Sequence, residues 1–148
     1  MSAIRSNFEV LVYADGKLVG RMLAVRRVPS TLAGALRRFA ASSAFVWEGK
    51  TFQASNELRG VGHNRVRIPH ALGRQNLFPF ETFFGPSAID GKRTLVLDYD
   101  LDVNPAYIRK IHDEIREVSP GLFLGPAMWK GGRDKFTVLW FALDARSV

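Results

Sequence analysis

Short runs of alternating apolar residues, separated by Asp-Gly turns, recur along this chain, and that pattern favours an antiparallel sheet over any helical architecture. Phe8, Val10 and Val12 alternate with Glu9, Leu11 and Tyr13, Ala14-Asp15-Gly16-Lys17 supplies a turn, and Leu18 to Val28 returns as a second strand that Pro29 ends. Glu81 to Ala88 and Lys92 to Asp100 flank Ile89-Asp90-Gly91 in the same way. Leu122 to Met128 joins Lys135 to Asp144 through Lys130-Gly131-Gly132-Arg133-Asp134. Phe45 to Gln53 and Gly60 to Ile68 add two strands, while Pro69 to Pro79, with two prolines and a glycine, reads as a long connection.

Two stretches read as helices. Ser30 or Thr31 can cap one that runs to about Ala44, with Leu32, Leu36, Phe39 and Ala40 on one face. Asn104 can cap the other, with Pro105 at its first position, Ile108, Ile111, Ile115 and Val118 as an apolar stripe, and Pro120-Gly121 as its stop. Strands and helices do not alternate as a parallel sheet requires. The expected fold is mainly β: about eight antiparallel strands and two helices in one domain spanning residues 1–148. Closing such a sheet into a barrel removes its edges and leaves an interior able to hold one small ligand.

Composition narrows the chemistry. Apolar residues form 47% of the chain and charged residues 24%, the balance of a globular protein. The absence of cysteine excludes disulfides, thiolate metal sites and a cysteine nucleophile. Arg5, Glu9, Asp15, Lys17 and Arg21 interrupt the first residues, so neither a signal-peptide core nor a membrane span is expected, and the expected location is the cytoplasm. No phosphate loop, dinucleotide fingerprint, nucleophile elbow or His-Glu-x-x-His helix occurs, so no cofactor and no metal are expected. His63, His70 and His112 are scattered.

The net charge of +7 is unevenly spread. Residues 1–80 carry 12 Lys/Arg against 4 Asp/Glu, whereas residues 81–148 carry 9 against 10. The basic residues come as pairs and singles rather than as a block, which fits a solvated surface and leaves nucleic acid a possible but less favoured partner. Strand alternation puts His63, Arg65 and Arg67 on one side, opposite Asn64, Val66 and Ile68, so that Arg65 or Arg67 could meet an acidic group. Asp98 and Asp100 share a face in the same manner, opposite Tyr99. On a barrel interior, Asp98 or Asp100 would be candidate acid/base groups with Tyr99 or His63 as hydrogen-bond partners; on the outside they would be ordinary surface carboxylates. Aromatic residues mark the candidate ligand contacts Trp47, Phe80, Phe83, Phe84, Tyr99 and Trp140, residue types that equally fill a core.

Three patches resemble lipocalin-like proteins named for a Gly-x-Trp-x-Gly motif: Trp47-Glu48-Gly49-Lys50-Thr51-Phe52, Asp113-Glu114-Ile115-Arg116-Glu117-Val118 and Leu124-Gly125-Pro126-Ala127-Met128. Phe45 stands where the motif has its first glycine. The resemblance implies a calycin-type barrel with an apolar interior and no particular reaction. The leading expectation is a protein that binds a small apolar or amphipathic molecule inside a barrel. A cofactor-free isomerase, cyclase or dehydratase, and an anion or nucleic-acid binder using the basic half, are the alternatives.

Overall fold

The computed structural model describes residues 16–25, 46–68, 73–132 and 134–146. They form eight strands: β1 (Gly16–Val25), β2 (Val46–Ala54), β3 (Arg59–Ile68), β4 (Gly73–Pro86), β5 (Arg93–Asp98), β6 (Ile111–Ser119), β7 (Leu122–Gly131) and β8 (Asp134–Asp144). Each strand pairs antiparallel with its sequence neighbour, and β1 pairs with β8 to close the barrel. Closure leaves none of these eight strands with an unpaired edge, the chief hazard of an open β-sheet.

One side of every strand points inward. Leu18, Phe52, Phe80, Leu95, Leu97, Ile115, Phe123, Phe141 and Leu143 make the apolar interior, and each is buried. Two of the rings around this interior lie against the wall at glycines. A Cβ at Gly20 would collide with the Trp47 indole, and one at Gly62 with the Phe80 ring. Any other residue there would push a large aromatic side chain off the wall.

The stretch expected to be a helix after Asn104 is a strand. Only Ile108–Lys110 is helical, as one 3-10 turn, and among the described residues there is no α-helix. Ile111 and Ile115 fit a helical stripe, but they also share one face of a strand, and β-branched residues favour the extended form. Asn104 does not cap a helix; its Nδ2 donates to Pro79 O at 2.8 Å and Tyr99 O at 2.9 Å, tying the end of β5 to β4. The helix expected up to Ala44 and the strand at Phe8 to Tyr13 lie outside the described residues.

The expected connection over Pro69 to Pro79 is also corrected, because β4 begins at Gly73 and its Gln75–Leu77 pair with Asn64–Val66. The register slips between Gly62 and Asn64, where Phe78 has a positive φ of 54° and Pro79 follows. A bulge is where a proline, lacking an N–H, can sit within a sheet. The described residues thus form eight antiparallel strands, and one of them, β6, is disguised in the sequence as a helix.

Candidate functional site

Four polar side chains from four parts of the wall meet inside the barrel. Lys50 precedes Phe52 on the inner side of β2, Asn64 lies between Gly62 and Val66 on β3, Tyr99 continues the inward row of Leu95 and Leu97, and Asp113 lies between Ile111 and Ile115 on β6. Gly49, at φ 142°, forms part of a bulge in β2 that lets Trp47 and Lys50 both face inward.

Lys50 Nζ donates to Asn64 Oδ1 at 2.7 Å and to the Tyr99 hydroxyl, and lies 3.1 Å from Asp113 Oδ2. The Tyr99 hydroxyl donates to that same carboxylate oxygen at 3.1 Å and accepts from Asn64 Nδ2 at 3.1 Å. Trp47 Nε1 donates to Asn64 Oδ1 at 3.0 Å, and Asn64 Nδ2 also donates to Phe78 O at 3.1 Å. The positive φ at Phe78 thus accompanies a carbonyl that holds Asn64 in place. Around the ammonium, the rings of Trp47, Phe80, Tyr99 and Phe141 have centroids 5.2–5.5 Å away. Their faces offset part of the cost of removing a cation from water.

Burial sets the electrostatics. Lys50 is 4% exposed and Asp113 3%. Desolvation pulls the Lys50 ammonium below the usual lysine pKa, while the Asp113 charge and hydrogen bond work against that fall. Desolvation and the Asp113 charge raise the Tyr99 phenol well above its ordinary value, so it stays a neutral donor. Each Lys50 N–H has an acceptor, and the ion pair is neutral as a unit. One atom is left over: Asp113 Oδ1 is buried with no hydrogen-bond partner.

Of the side chains singled out by sequence, Trp47, Phe80 and Tyr99 belong to this interior, and Phe84 packs against it with the Arg93 guanidinium 4.7 Å from its ring. The others do not. Phe83 faces out, with Arg59 5.8 Å from its ring, and Trp140 lies between the inward-facing Leu139 and Phe141, on the outer side of β8. The row His63, Arg65 and Arg67 alternates with buried Asn64 and Val66 and is also outside. Arg65 donates to Thr51 Oγ1 at 2.9 Å and Leu18 O at 2.8 Å, and Arg67 lies 3.8 Å from Glu48. Burial and the Arg65 charge hold His63 below its usual pKa.

Asp98 and Asp100 are not interior carboxylates. Asp98 is partly exposed and 4.0 Å from Lys130, while exposed Asp100 pairs with Arg109 at 2.8 Å. The inward side of β5 carries Leu95 and Leu97, which places Asp98 on the opposite side. Sequence reasoning missed Lys50 and Asp113 as site residues. For Lys50 the signal was its two-residue spacing from Phe52; for Asp113 it was hidden by a helical reading of its strand.

A second polar cluster lies on the outer side of β6. His112 Nε2 is 3.1 Å from Glu114 Oε1, which also accepts from the Ala88 amide at 2.7 Å. These bonds anchor the β4–β5 turn. Among the described residues no group of His, Asp and Glu could hold a metal ion, and no helix is long and apolar enough to cross a membrane. Comparison with protein-family models, curated proteins and solved structures found no match for this chain.

Proposed function

We propose that the protein binds a small apolar or amphipathic molecule inside its barrel, with the Lys50–Asp113–Tyr99–Asn64 network as the polar end of the site. The observation that carries this reading is the placement of a hydrogen-bonded ion pair within an aromatic interior. Apolar walls with a few convergent polar groups are the general form of a small-molecule site. The resemblance to the Gly-x-Trp-x-Gly proteins adds support, since Lys50 and Asp113, from two separate patches of it, meet here, and the third patch lies on β7, where Ala127 pairs with Asp113. Native mass spectrometry and thermal-shift measurements with fatty acids, terpenoids and porphyrins test the reading. A retained or stabilising ligand of one of these classes is expected; failure of every apolar class to bind overturns it.

A cofactor-free proton transfer is the second reading, favoured by the buried carboxylate oxygen of Asp113 that has no hydrogen-bond partner. Its acid/base pair would be Asp113 and Tyr99, in place of the outward Asp98 and Asp100. Solvent-deuterium incorporation into a bound ligand, abolished in Asp113→Asn, is the outcome this reading requires. For the anion-binding alternative, Arg65, Arg67 and Arg74 have partners in Thr51, Leu18 O and Glu48, and the pairs Arg26-Arg27 and Arg37-Arg38 lie outside the described residues.

A further inference from the structure

We infer that the outer face of β3 and β4 binds single-stranded nucleic acid, whose phosphates are taken by Arg67 and Arg74 with Arg65 beside them. The inference concerns the outside of the wall and does not depend on what the interior holds. Three observations carry it.

The first is a like-charged pair that the fold does not need. Arg67 on β3 and Arg74 on β4 are direct cross-strand partners, and Arg65 lies two residues along, opposite Asn76. Like charges directly opposite one another destabilise a sheet. Arg109, Arg116 and Arg146 each have a carboxylate of their own, in Asp100, Asp90 and Asp144, whereas Arg67 and Arg74 share Glu48. Arg65 feels the charges of both Glu48 and Arg74, so three guanidiniums gather around one carboxylate. Burial and the Arg65 charge keep His63 neutral at pH 7, and the positive excess belongs to the arginines alone.

The second is access. The side chains of Arg67 and Arg74 are 57% and 81% exposed. They meet Glu48 through Nε, at 3.8 and 3.3 Å, and among the described residues no hydrogen bond engages a terminal nitrogen of either. Those terminal N–H groups form the fork that holds a phosphate by two parallel hydrogen bonds. A phosphate arriving from solvent needs no opening in the barrel.

The third is shape. This face is an outer wall, where a lone small anion stays largely hydrated, but a chain of phosphates gains by meeting several cations at once. The outward row of β3 continues from Arg67 and Arg65 through His63 and Val61 to Arg59, about 26 Å at 3.3 Å per residue, with Glu81 of β4 opposite Val61. At its far end the Arg59 guanidinium lies 5.8 Å from the outward Phe83 ring, a cationic and aromatic surface of the kind on which the bases of a single strand stack. A duplex presents two backbones and a groove that a helix or ribbon enters; this row is one strand wide and lies flat in a closed wall.

The test is fluorescence anisotropy of a labelled oligodeoxythymidine strand with the full chain across a salt series. Three neutralised phosphates, at about 0.7 each on a single strand, give a slope of about −2 for log K against log salt. The double variant Arg67→Gln with Arg74→Gln is expected to lose about 1.4 of that slope. Glu48→Gln, which removes the shared carboxylate, is expected to tighten binding, a gain that a damaged fold cannot mimic. Arg146→Gln, whose guanidinium is paired with Asp144, should leave the slope unchanged. If the double variant keeps the full slope, or Glu48→Gln fails to tighten binding, the assignment to this face falls. A duplex, or phosphatidylserine vesicles, bound as tightly as the strand overturns the choice of partner, and absence of binding at low salt overturns the inference outright.

Discussion

Lys50 and Asp113 come from strands β2 and β6, not neighbours in the sheet, yet their charged atoms lie 3.1 Å apart inside the barrel. The pair spans the interior from one part of the wall to another. Buried pairs of this kind add little net stability against apolar replacements, but losing one partner strands the other.

Lys50→Met alone, or Asp113→Leu alone, is therefore expected to destabilise the fold by about 3–5 kcal/mol. The double variant is expected to lose much less than the sum, because neither charge remains unpaired. Urea denaturation of the four proteins in a double-mutant cycle measures the coupling. Additive losses would show that the two charges do not depend on one another.

Tyr99→Phe removes the phenol that donates to Asp113 Oδ2 and accepts from Lys50 and Asn64. The ring remains to pack against Phe80, whose centroid is 5.3 Å away. A loss of about 1–3 kcal/mol is expected, set by the unmatched donors left behind rather than by packing. Chemical denaturation gives the value, and a loss typical of core truncation would assign the role to the ring instead.

Gly20→Ala is expected to displace the Trp47 indole and cost about 1–3 kcal/mol, with a visible change in near-UV circular dichroism. Gly91→Ala is the contrasting case. Its φ is 72° but no atom lies within 4 Å of an added Cβ, so backbone strain of about 1–2 kcal/mol should appear with the aromatic spectrum unchanged.

Acid should weaken the fold through His112 and Glu114. Burial depresses the His112 pKa below 6.5, helped by the Lys135 charge and opposed by Glu114 and Asp113. Burial alone would raise Glu114, but the Ala88 amide, the Ser87 hydroxyl and His112 outweigh it and leave that carboxyl below 4.5. Both groups bind protons more readily in the unfolded chain. Their contribution is thus complete above about pH 6.5 for His112 and above about pH 4.5 for Glu114, and each is lost as pH falls from there towards the lower folded value. Melting temperatures of the unmodified protein and His112→Gln, followed from pH 7.5 to 5, should converge as the pH drops. Parallel curves would remove His112 from the acid response.

The turn chemistry made most of the wall legible: Asp90-Gly91, the Gly131-Gly132 connection and the alternation in β2, β3, β7 and β8 lie close to where the pattern places them. The interior chemistry was harder to read, for a reason visible in β6. Ile108, Ile111, Ile115 and Val118 satisfy a helical period, and reading them so makes Asp113 a solvated charge pairing with Arg109 four residues away. In the strand, Asp113 points inward instead, and Arg109 pairs with Asp100. A single wrong period conceals a buried charge, because only tertiary pairing with β5 and β7 decides which way the side chain faces. Asn64, by contrast, was placed opposite Arg65 by simple alternation, and that is its position in the barrel.

The β1–β8 seam has a kinetic consequence. Its partners, such as Val25 with Leu139 and Val19 with Asp144, are nearly as distant in sequence as the described chain allows. Neighbouring hairpins can form while the ribosome is still adding residues, but this seam cannot form until β8 has been released. Folding should therefore end in a slow, concerted step with high contact order, and until then both β1 and β7 remain open templates for another chain.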